Sequence, residues 1–423
     1  MRQKVVLAYS GGLDTSVCIK WLQDKYQAEV ITLTIDLGAN DRDLEQIQAK
    51  ALRIGAKKAL VVDARDLFVK YFILPALQAG AIYEDAYPLA TALGRPLIAK
   101  LLVDTARQEG ATAVAHGSTG KGNDQVRFDV AVAALAPDVK VIAPVREWQM
   151  SREEEIEYAR EHDIPVPVTL ASPYSIDVNL WGRSAECGVL EDPWAEPPEE
   201  VYVWTVDPAS APAEPQYVAI GFERGVPVSL DGEALDGVAL VTKLNELGGA
   251  HGVGRIDHVE NRLVGIKSRE IYEAPAAVIL HTAHKALEGL TLTKDQARFK
   301  AKVAAEYADL IYNGLWFSAM HQDLAAYIAS SQRYVSGVVR LRLRRGTCTV
   351  VGRQSPSSLY SYQLATYDRA DAFDHRAAEG FIKLWGLPLR TQAQAQLLGQ
   401  PEALLSIMPP KVNAEDVSSR EAT

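Results

Sequence analysis

Cysteine is scarce in this chain: three residues in 423, at Cys18, Cys187 and Cys348. Spaced so widely, they form neither a disulfide framework nor a zinc pattern, and they suit a reducing, cytoplasmic setting. Long apolar runs are missing too, so no segment has the length to span a membrane. The first strand pattern opens near residue 4, which leaves no room for a signal or transit peptide. Blocks of Lys and Arg are also absent. With 44 Lys and Arg against 54 Asp and Glu, the formal net charge is −10, which speaks against an extended nucleic-acid surface. The basic stretch Leu341–Arg345 alternates like a strand with one solvated face. No Lys follows the first glycine pair, so the GxxxxGK[ST] phosphate loop is excluded. Gly248–Gly254 follows no buried strand and lacks GxGxxG order, which argues against a dinucleotide site. His281 and His284 have no third ligand in helical register; they read as structural, and no metal site is assigned within the protein itself.

What is present is a core-forming chain, 48% hydrophobic, long enough for two domains with appendages. Its most informative stretch is KVVLAYSGGLDTS, Lys4 to Ser16. Lys4 to Tyr9 are nearly all apolar, as expected at the buried centre of a parallel sheet. The chain then turns through Ser10, Gly11 and Gly12. Asp14, Thr15 and Ser16 offer N-cap chemistry for a helix reaching about Tyr26. A strand, a glycine turn and a helix start together make an anion nest, where backbone N–H groups and the helix dipole meet a phosphate.

Strands are expected at 4–9, 28–35, 58–63, 112–116 and 139–145, with helices at 14–25, 41–55, 66–80, 96–110 and 151–163. This alternation predicts an α/β, doubly wound parallel-sheet nucleotide-binding domain with its ligand beyond the carboxyl ends of the strands. Three polar or glycine-rich loops, Ser10–Gly12, Asp36–Gly38 and Gly117–Gly122, converge on that edge, and one nucleotide pocket explains all three. After Pro165-Val166-Pro167 the pattern becomes α+β, with helices near 233–249, 274–288 and 294–331 and strand alternation at 335–353. The expected division is 1–168, 169–373, a C-terminal oligomerisation helix within 374–408, and a flexible tail 409–423. The helical arm presents Phe381, Ile382, Leu384, Trp385 and Leu389, a stripe that suits packing on another subunit.

A second glycine cluster, His116 to Phe128, gathers Thr119, Lys121, Asn123, Asp124 and Arg127 in one loop and helix start. Such a set can grip a small zwitterion: Asn and Asp accept from an ammonium group, while Thr, Lys and Arg hold carboxylates. The first loop resembles the SGGxDS loop of the ATP pyrophosphatases. With the second cluster, the chain closely resembles the argininosuccinate synthase family, and the likeness runs over nearly its whole length. Further matching runs are Tyr83-Glu84-Asp85 with Tyr87 and Gly94-Arg95-Pro96, then Ser172 to Leu180 with Ser184. Gly188 to Pro193, His251 to Asp257, Val259 to Arg262 and Lys267-Ser268-Arg269 with Tyr272 complete the set.

The resemblance implies a carbon–nitrogen ligase of arginine biosynthesis that joins citrulline to aspartate with ATP, through a citrullyl-adenylate, releasing pyrophosphate and AMP. Carried over residue by residue, it implies ATP contacts at Ala8, Tyr9, Ser10, Gly11, Gly12, Leu13, Asp14, Thr15, Ser16, Ile35 and Gly117. Aspartate would meet Thr119, Asn123 and Asp124. Citrulline would meet Tyr87, Thr91, Asn123, Arg127, Ser175, Ser184, Glu260 and Tyr272. Thr91 enters because this chain has Ala92 where many members carry Ser. Asp14, Asp124 and Arg127 are the expected catalytic residues, with Mg²⁺ bridging phosphate oxygens. The resemblance also implies a cytoplasmic homotetramer with no nucleic-acid or membrane partner. Two rival classes fit less well, the first an RNA-modifying adenylating enzyme, which would need a basic surface and working cysteines, and the second a non-catalytic scaffold; a glutamine-fed synthetase would need a glutaminase part. A non-catalytic ATP-binding scaffold would not need Asp14, Thr119, Asn123, Asp124 and Arg127 together.

Overall fold

Residues 3–39, 43–148, 150–165 and 173–397 are described in the computed structural model. The expected tail, the end of the arm and the 168/169 boundary lie outside them. The chain divides into two compact units, Met1–Leu359 and Tyr360–Thr423.

In the first unit, β1 (Lys4–Ala8), β2 (Glu29–Asp36), β3 (Lys58–Asp63), β4 (Ala113–Ala115) and β5 (Lys140–Ile142) form a parallel sheet in the order β3-β2-β1-β4-β5. Val5, Val6 and Leu7 of β1 are fully buried because helices cover both faces of the central strand. Since β2 and β3 lie on one side of β1 and β4 and β5 on the other, the direction in which strands are added reverses between β1 and β4. A crevice opens there, beyond the carboxyl ends of both strands.

An antiparallel sheet follows, ordered β11-β12-β7-β6, from β6 (Ser175–Asn179), β7 (Gly182–Glu186), β11 (Arg255–Asn261) and β12 (Lys267–Glu273). A second antiparallel sheet, ordered β10-β9-β8-β13-β14, uses β8 (Gln216–Glu223), β9 (Val226–Leu230), β10 (Glu233–Ala234), β13 (Gly337–Arg344) and β14 (Thr347–Gln354). The core is continuous from the parallel sheet into these sheets and their helices, including Leu33, Trp181, Leu280 and Leu341. Trp181 is wholly shielded and its indole N–H donates to the Pro88 carbonyl at 2.9 Å.

Several local expectations are corrected. The helix expected at 96–110 starts six residues earlier and runs Ala90–Glu109 with Pro96 inside it, so the proline does not mark the helix start. Its ring removes one i→i−4 bond, and burial of Leu93, Pro96 and Leu97 offsets that loss. A helix Asp124–Leu135, beyond the short start expected in the second cluster, packs its Phe128 and Val132 into the core. The expected helix 294–331 is two, Lys294–Tyr312 and Ala319–Ser331, separated at Gly314, whose φ is +75°. In the second unit, helices His375–Trp385 and Leu387–Gln392 meet at Gly386.

Candidate active site

The helix after β1 spans Leu13–Tyr26, and its N-cap is Gly12 with no side-chain cap. The capping role expected of Asp14, Thr15 and Ser16 is therefore corrected, because the loop satisfies itself in another way. Ser10 Oγ accepts from the Gly12 N–H at 3.3 Å and lies 3.0 Å from Thr15 Oγ1. Gly11 takes the left-handed conformation, φ +82°, that lets the turn close. Lys50 Nζ donates to the Gly11 carbonyl at 2.7 Å. Ser16 is buried and its hydroxyl lies 3.1 Å from the Tyr9 phenol. Asp14 Oδ1 accepts from Arg152 at 3.0 Å. Behind it Glu155 is buried, and burial with the nearby Asp14 charge pushes its carboxyl up to about 8.

This loop forms one end of a cavity of about 570 Å³. Its wall holds Ala8, Tyr9, Ser10, Gly12, Leu13, Asp14, Thr15, Ile35 and Gly117 of the expected nucleotide set. It also holds Tyr87, Thr91, Thr119, Asn123, Asp124, Arg127, Ser175, Ser184, Glu260 and Tyr272 of the expected amino-acid set. Two expected residues, Gly11 and Ser16, stand off the wall: one shapes the turn and the other is bonded inside the domain.

The loop after β4 is fixed by His116. Its Nδ1 accepts from the Ser118 N–H at 3.2 Å, so Nε2 carries the proton toward Asp129 Oδ1, 2.9 Å away. The Asp124–Leu135 helix then places two charged residues one turn apart. Asp124 Oδ1 accepts from Arg127 at 3.0 Å and Oδ2 from Arg95 at 2.8 Å. Burial opposes ionisation of Asp124, but the Arg95 and Arg127 guanidiniums outweigh it and hold the carboxyl below the usual range. Arg127 Nη2 and Arg95 Nε are buried with no hydrogen-bond partner among the described residues. Buried donors of this kind call for an acceptor.

The opposite wall is a face of the β11-β12-β7-β6 sheet. Period-two alternation puts Ser175 and Asp177, Ser184 and Glu186, Glu270 and Tyr272, and His258 and Glu260 on one side. Tyr272 stands directly across from Ser184, and Ser184 across from Asp177. Glu260, 1% exposed, accepts from the Tyr272 and Tyr312 phenols, each at 2.6 Å, and from Asn123 Nδ2 at 3.3 Å. Glu270 Oε2 lies 2.9 Å from the Tyr272 phenol oxygen, whose one proton goes to Glu260, and burial beside the Glu260 and Glu186 charges pushes the Glu270 carboxyl up to about 8. Arg262 reaches both Glu186 and Glu270. The Tyr87 ring stacks on Tyr272 with centroids 4.2 Å apart, and its phenol oxygen accepts the Thr91 N–H at 2.8 Å. One cavity thus joins a phosphate-type nest, two guanidiniums with spare donors, and a carboxyl-rich sheet face.

The sequence matches "Arginosuccinate synthase N-terminal HUP domain" over residues 4–165 and "Arginosuccinate synthase C-terminal domain" over 174–392. It is 62% identical over 395 residues to the argininosuccinate synthase of Symbiobacterium thermophilum, covering 93% of this chain and 98% of that one. To the Dehalococcoides mccartyi argininosuccinate synthase it is 60% identical over 402 residues, covering 95% and 99%. To that of Oceanobacillus iheyensis it is 57% identical over 406 residues, covering 96% of each. The chain belongs to the argininosuccinate synthase family. It is therefore an enzyme, a carbon–nitrogen ligase of arginine biosynthesis built on an ATP-using fold.

The cavity wall also carries residues to which the motifs gave no role: Arg95, Asp177, Glu186, Arg262 and Glu270, with Arg152 at the nest. Strand alternation was the available signal for three of them. Asp177, Glu186 and Glu270 each stand two residues from an expected site residue, and so on the same face. Arg95 lies in the Gly94-Arg95-Pro96 run, but only the fold brings it to Asp124.

Proposed function

We propose that the enzyme condenses citrulline and aspartate to argininosuccinate with ATP, through a citrullyl-adenylate, releasing pyrophosphate and then AMP. The observation that carries this reading is the single cavity that unites the β1 nest with the Asp124–Arg127 helix start and the carboxyl-rich sheet face. The ureido oxygen of citrulline attacks the α-phosphorus, and the bond from that phosphorus to the bridging oxygen breaks to free pyrophosphate. The amine of aspartate then attacks the ureido carbon and loses a proton, and AMP departs with the former ureido oxygen. Activation is needed because that oxygen is otherwise a poor leaving group.

The protein's task is to bring three reactants together and offset phosphate charge. The Ser10–Thr15 nest would hold the β- and γ-phosphates through backbone N–H groups and the helix start. The Asp14 carboxylate with the Ser10 and Thr15 hydroxyls offers hard oxygen donors, which fit a magnesium ion shared with polyphosphate. When bound, the ion supplies charge neutralisation on the leaving group. Arg127 and Arg95 have unpartnered donors, suited to the one carboxylate of citrulline and the two of aspartate. Glu260 and Glu270 lie where an ammonium group would be held. Asp124 retains lone pairs for the aspartate amine, although its lowered carboxyl makes it a better hydrogen-bond acceptor than a base.

The helix His375–Trp385 has no buried residue; Phe381, Ile382, Leu384 and Trp385 are 60 to 74% exposed. That apolar face supports assembly into a homotetramer through the C-terminal arm. No helix among the described residues is long and apolar enough to cross a membrane, and the reading includes neither membrane nor nucleic acid, with the cytoplasm as its place.

The test is product analysis. Argininosuccinate, AMP and pyrophosphate should form in equal amounts only when ATP, citrulline and aspartate are all present. Citrulline without aspartate should drive exchange of labelled pyrophosphate into ATP. Formation of ADP in place of AMP would overturn the reading.

A further inference from the structure

Tyr312 ends the helix Lys294–Tyr312 and belongs to no motif read from the sequence. It is off the cavity wall, yet it holds three residues that are on it. Its ring is 1% exposed and stacks on Tyr83 with centroids 3.6 Å apart and planes 6° apart. The stack fixes the phenol. That phenol donates to Glu260 Oε1 at 2.6 Å and accepts from Asn123 Nδ2 at 2.9 Å. The Arg127 guanidinium sits 4.8 Å from the ring centroid, and Arg127 Nε donates to the Tyr312 carbonyl at 2.9 Å. Two residues on, Gly314 has φ +75°, and a Cβ there would stand 2.9 Å from Arg127 Cα. Only glycine lets the turn come so close to the Arg127 backbone.

We infer that Tyr312 is a positioning residue for the amino-acid substrates, acting through Glu260, Asn123 and Arg127 without touching substrate. With Nε on the Tyr312 carbonyl and Nη1 on Asp124, Arg127 keeps Nη2 as its spare donor. Asn123 is equally committed: its Oδ1 accepts from the Leu263 N–H at 2.9 Å, while its Nδ2 serves Tyr312 and Glu260. Without the phenol, Asn123 loses an acceptor and Glu260 loses a short donor. Glu260 is then free to turn about its remaining bonds. This inference rests on the reading of the cavity as a citrulline and aspartate site.

The test is Tyr312→Phe, which keeps the ring, the carbonyl and the Gly314 turn and removes only the hydroxyl. The KM for citrulline should rise about ten- to hundredfold, the range for losing a hydrogen bond to a charged group. The KM for ATP should stay within about twofold, and calorimetry should show the matching loss of citrulline affinity. Citrulline and ATP constants that rise together, or neither rising, would overturn the positioning role. If the variant does not fold, 3-fluorotyrosine at 312 alters donor strength alone; it should shift the citrulline KM, and no shift overturns the role. A wild-type enzyme that makes no argininosuccinate overturns the underlying reading and this inference with it. Wild-type turnover beside an unchanged variant overturns the inference alone.

Discussion

Asp124 and Asp177 share one guanidinium nitrogen: Arg95 Nη2 donates to Asp124 Oδ2 at 2.8 Å and to Asp177 Oδ2 at 2.6 Å. The two carboxylates come from opposite walls of the cavity, one from the helix after β4 and the other from β6. Arg95, from the helix Ala90–Glu109, clamps them. Their side chains are only 26% and 28% exposed, so water screens them incompletely when the cation is removed. Arg95→Ala should therefore lower kcat/KM for both amino acids by at least about a hundredfold, in the range for stripping one partner from a buried charged pair. Arg95→Lys should recover little of this, because a point-charge ammonium does not reproduce the guanidinium fork. Steady-state kinetics with each amino acid varied in turn would check both. A Lys variant at wild-type rate would show that charge alone suffices.

Asp124→Asn separates the two chemical steps. Pyrophosphate exchange needs only ATP and citrulline, whereas argininosuccinate needs the aspartate amine as well. The variant should retain exchange within about twofold and lose ligation by about ten- to hundredfold, taking a charged hydrogen bond as about 1.5–3 kcal/mol. Equal loss of both activities in a folded variant would place Asp124 in the adenylation step.

The glycine pair of the nest divides its labour. Gly11 is at φ +82°, and a Cβ there would meet Ile47 at 3.0 Å; Gly12 is at φ −70°, with a Cβ meeting only Ser10 Oγ at 3.4 Å. Gly11→Ala should thus destabilise the fold by about 1–2 kcal/mol, the cost of the left-handed conformation. Gly12→Val should melt close to wild type while losing ATP turnover, because its branched side chain covers the wall where backbone meets phosphate. Thermal melting and ATP-dependent exchange, measured on each, would separate strain from steric exclusion. Unchanged ATP affinity in Gly12→Val would remove the phosphate role from this loop.

Much of this site was legible because its chemistry is local in sequence. Ser10 to Thr15 and Thr119 to Arg127 are short runs, and their residue order alone marks a nest and a zwitterion grip. The parallel sheet was legible for a similar reason: Val5–Leu7 are apolar without a break, and β2 is β-branched or apolar throughout Val30–Ile35, as central strands are. Tyr312 and Arg95 were not legible. Nothing about a tyrosine at a helix end says that it will stand between Asn123 and Glu260, 189 and 52 residues away. The helix start at Ala90 was missed because Pro96 signals a break that burial of its neighbours overrides. The capping of the first helix was misjudged because its N-cap is Gly12, with no side-chain cap, while the Ser10 hydroxyl takes the Gly12 N–H and so folds the turn.

Two buried carboxyls give the substrate-free enzyme a specific pH dependence. Burial is the first cause in both: the Glu260 and Glu186 charges add to it at Glu270, and the Asp14 charge at Glu155, each pushed up to about 8. A carboxyl whose folded value lies above the unfolded 4.5 holds its proton more tightly when native, so stability falls as pH rises from 4.5 to about 8. His281 acts in the opposite sense: burial pulls it from 6.5 down to about 3, so its contribution is lost as pH falls below 6.5. Between pH 6.5 and 8 the carboxyls act without that opposition. The melting temperature should therefore drop across this window, and Glu270→Gln and Glu155→Gln should each flatten the drop. An equally steep fall in both variants would assign it elsewhere.

The last prediction concerns assembly. Leu359 closes the first unit, its N–H donating to the Leu290 carbonyl at 2.9 Å, and the last strand, β14, has already ended at Gln354. Truncation after Leu359 therefore removes no strand of any sheet and no residue of the cavity wall. It does remove the helix His375–Trp385 with Phe381, Ile382, Leu384 and Trp385, and Leu389 beyond it. Each of these side chains contributes roughly 1.5–3 kcal/mol when fully buried. Such a face is a liability on a monomer and an asset in a symmetric assembly. Light scattering should give four chain masses for the full-length enzyme at micromolar concentration and a smaller species for the truncation. The shortened chain should keep folded secondary structure, since its core is complete, but should melt at a lower temperature. A full-length chain that scatters as a monomer would leave the apolar arm without its proposed partner.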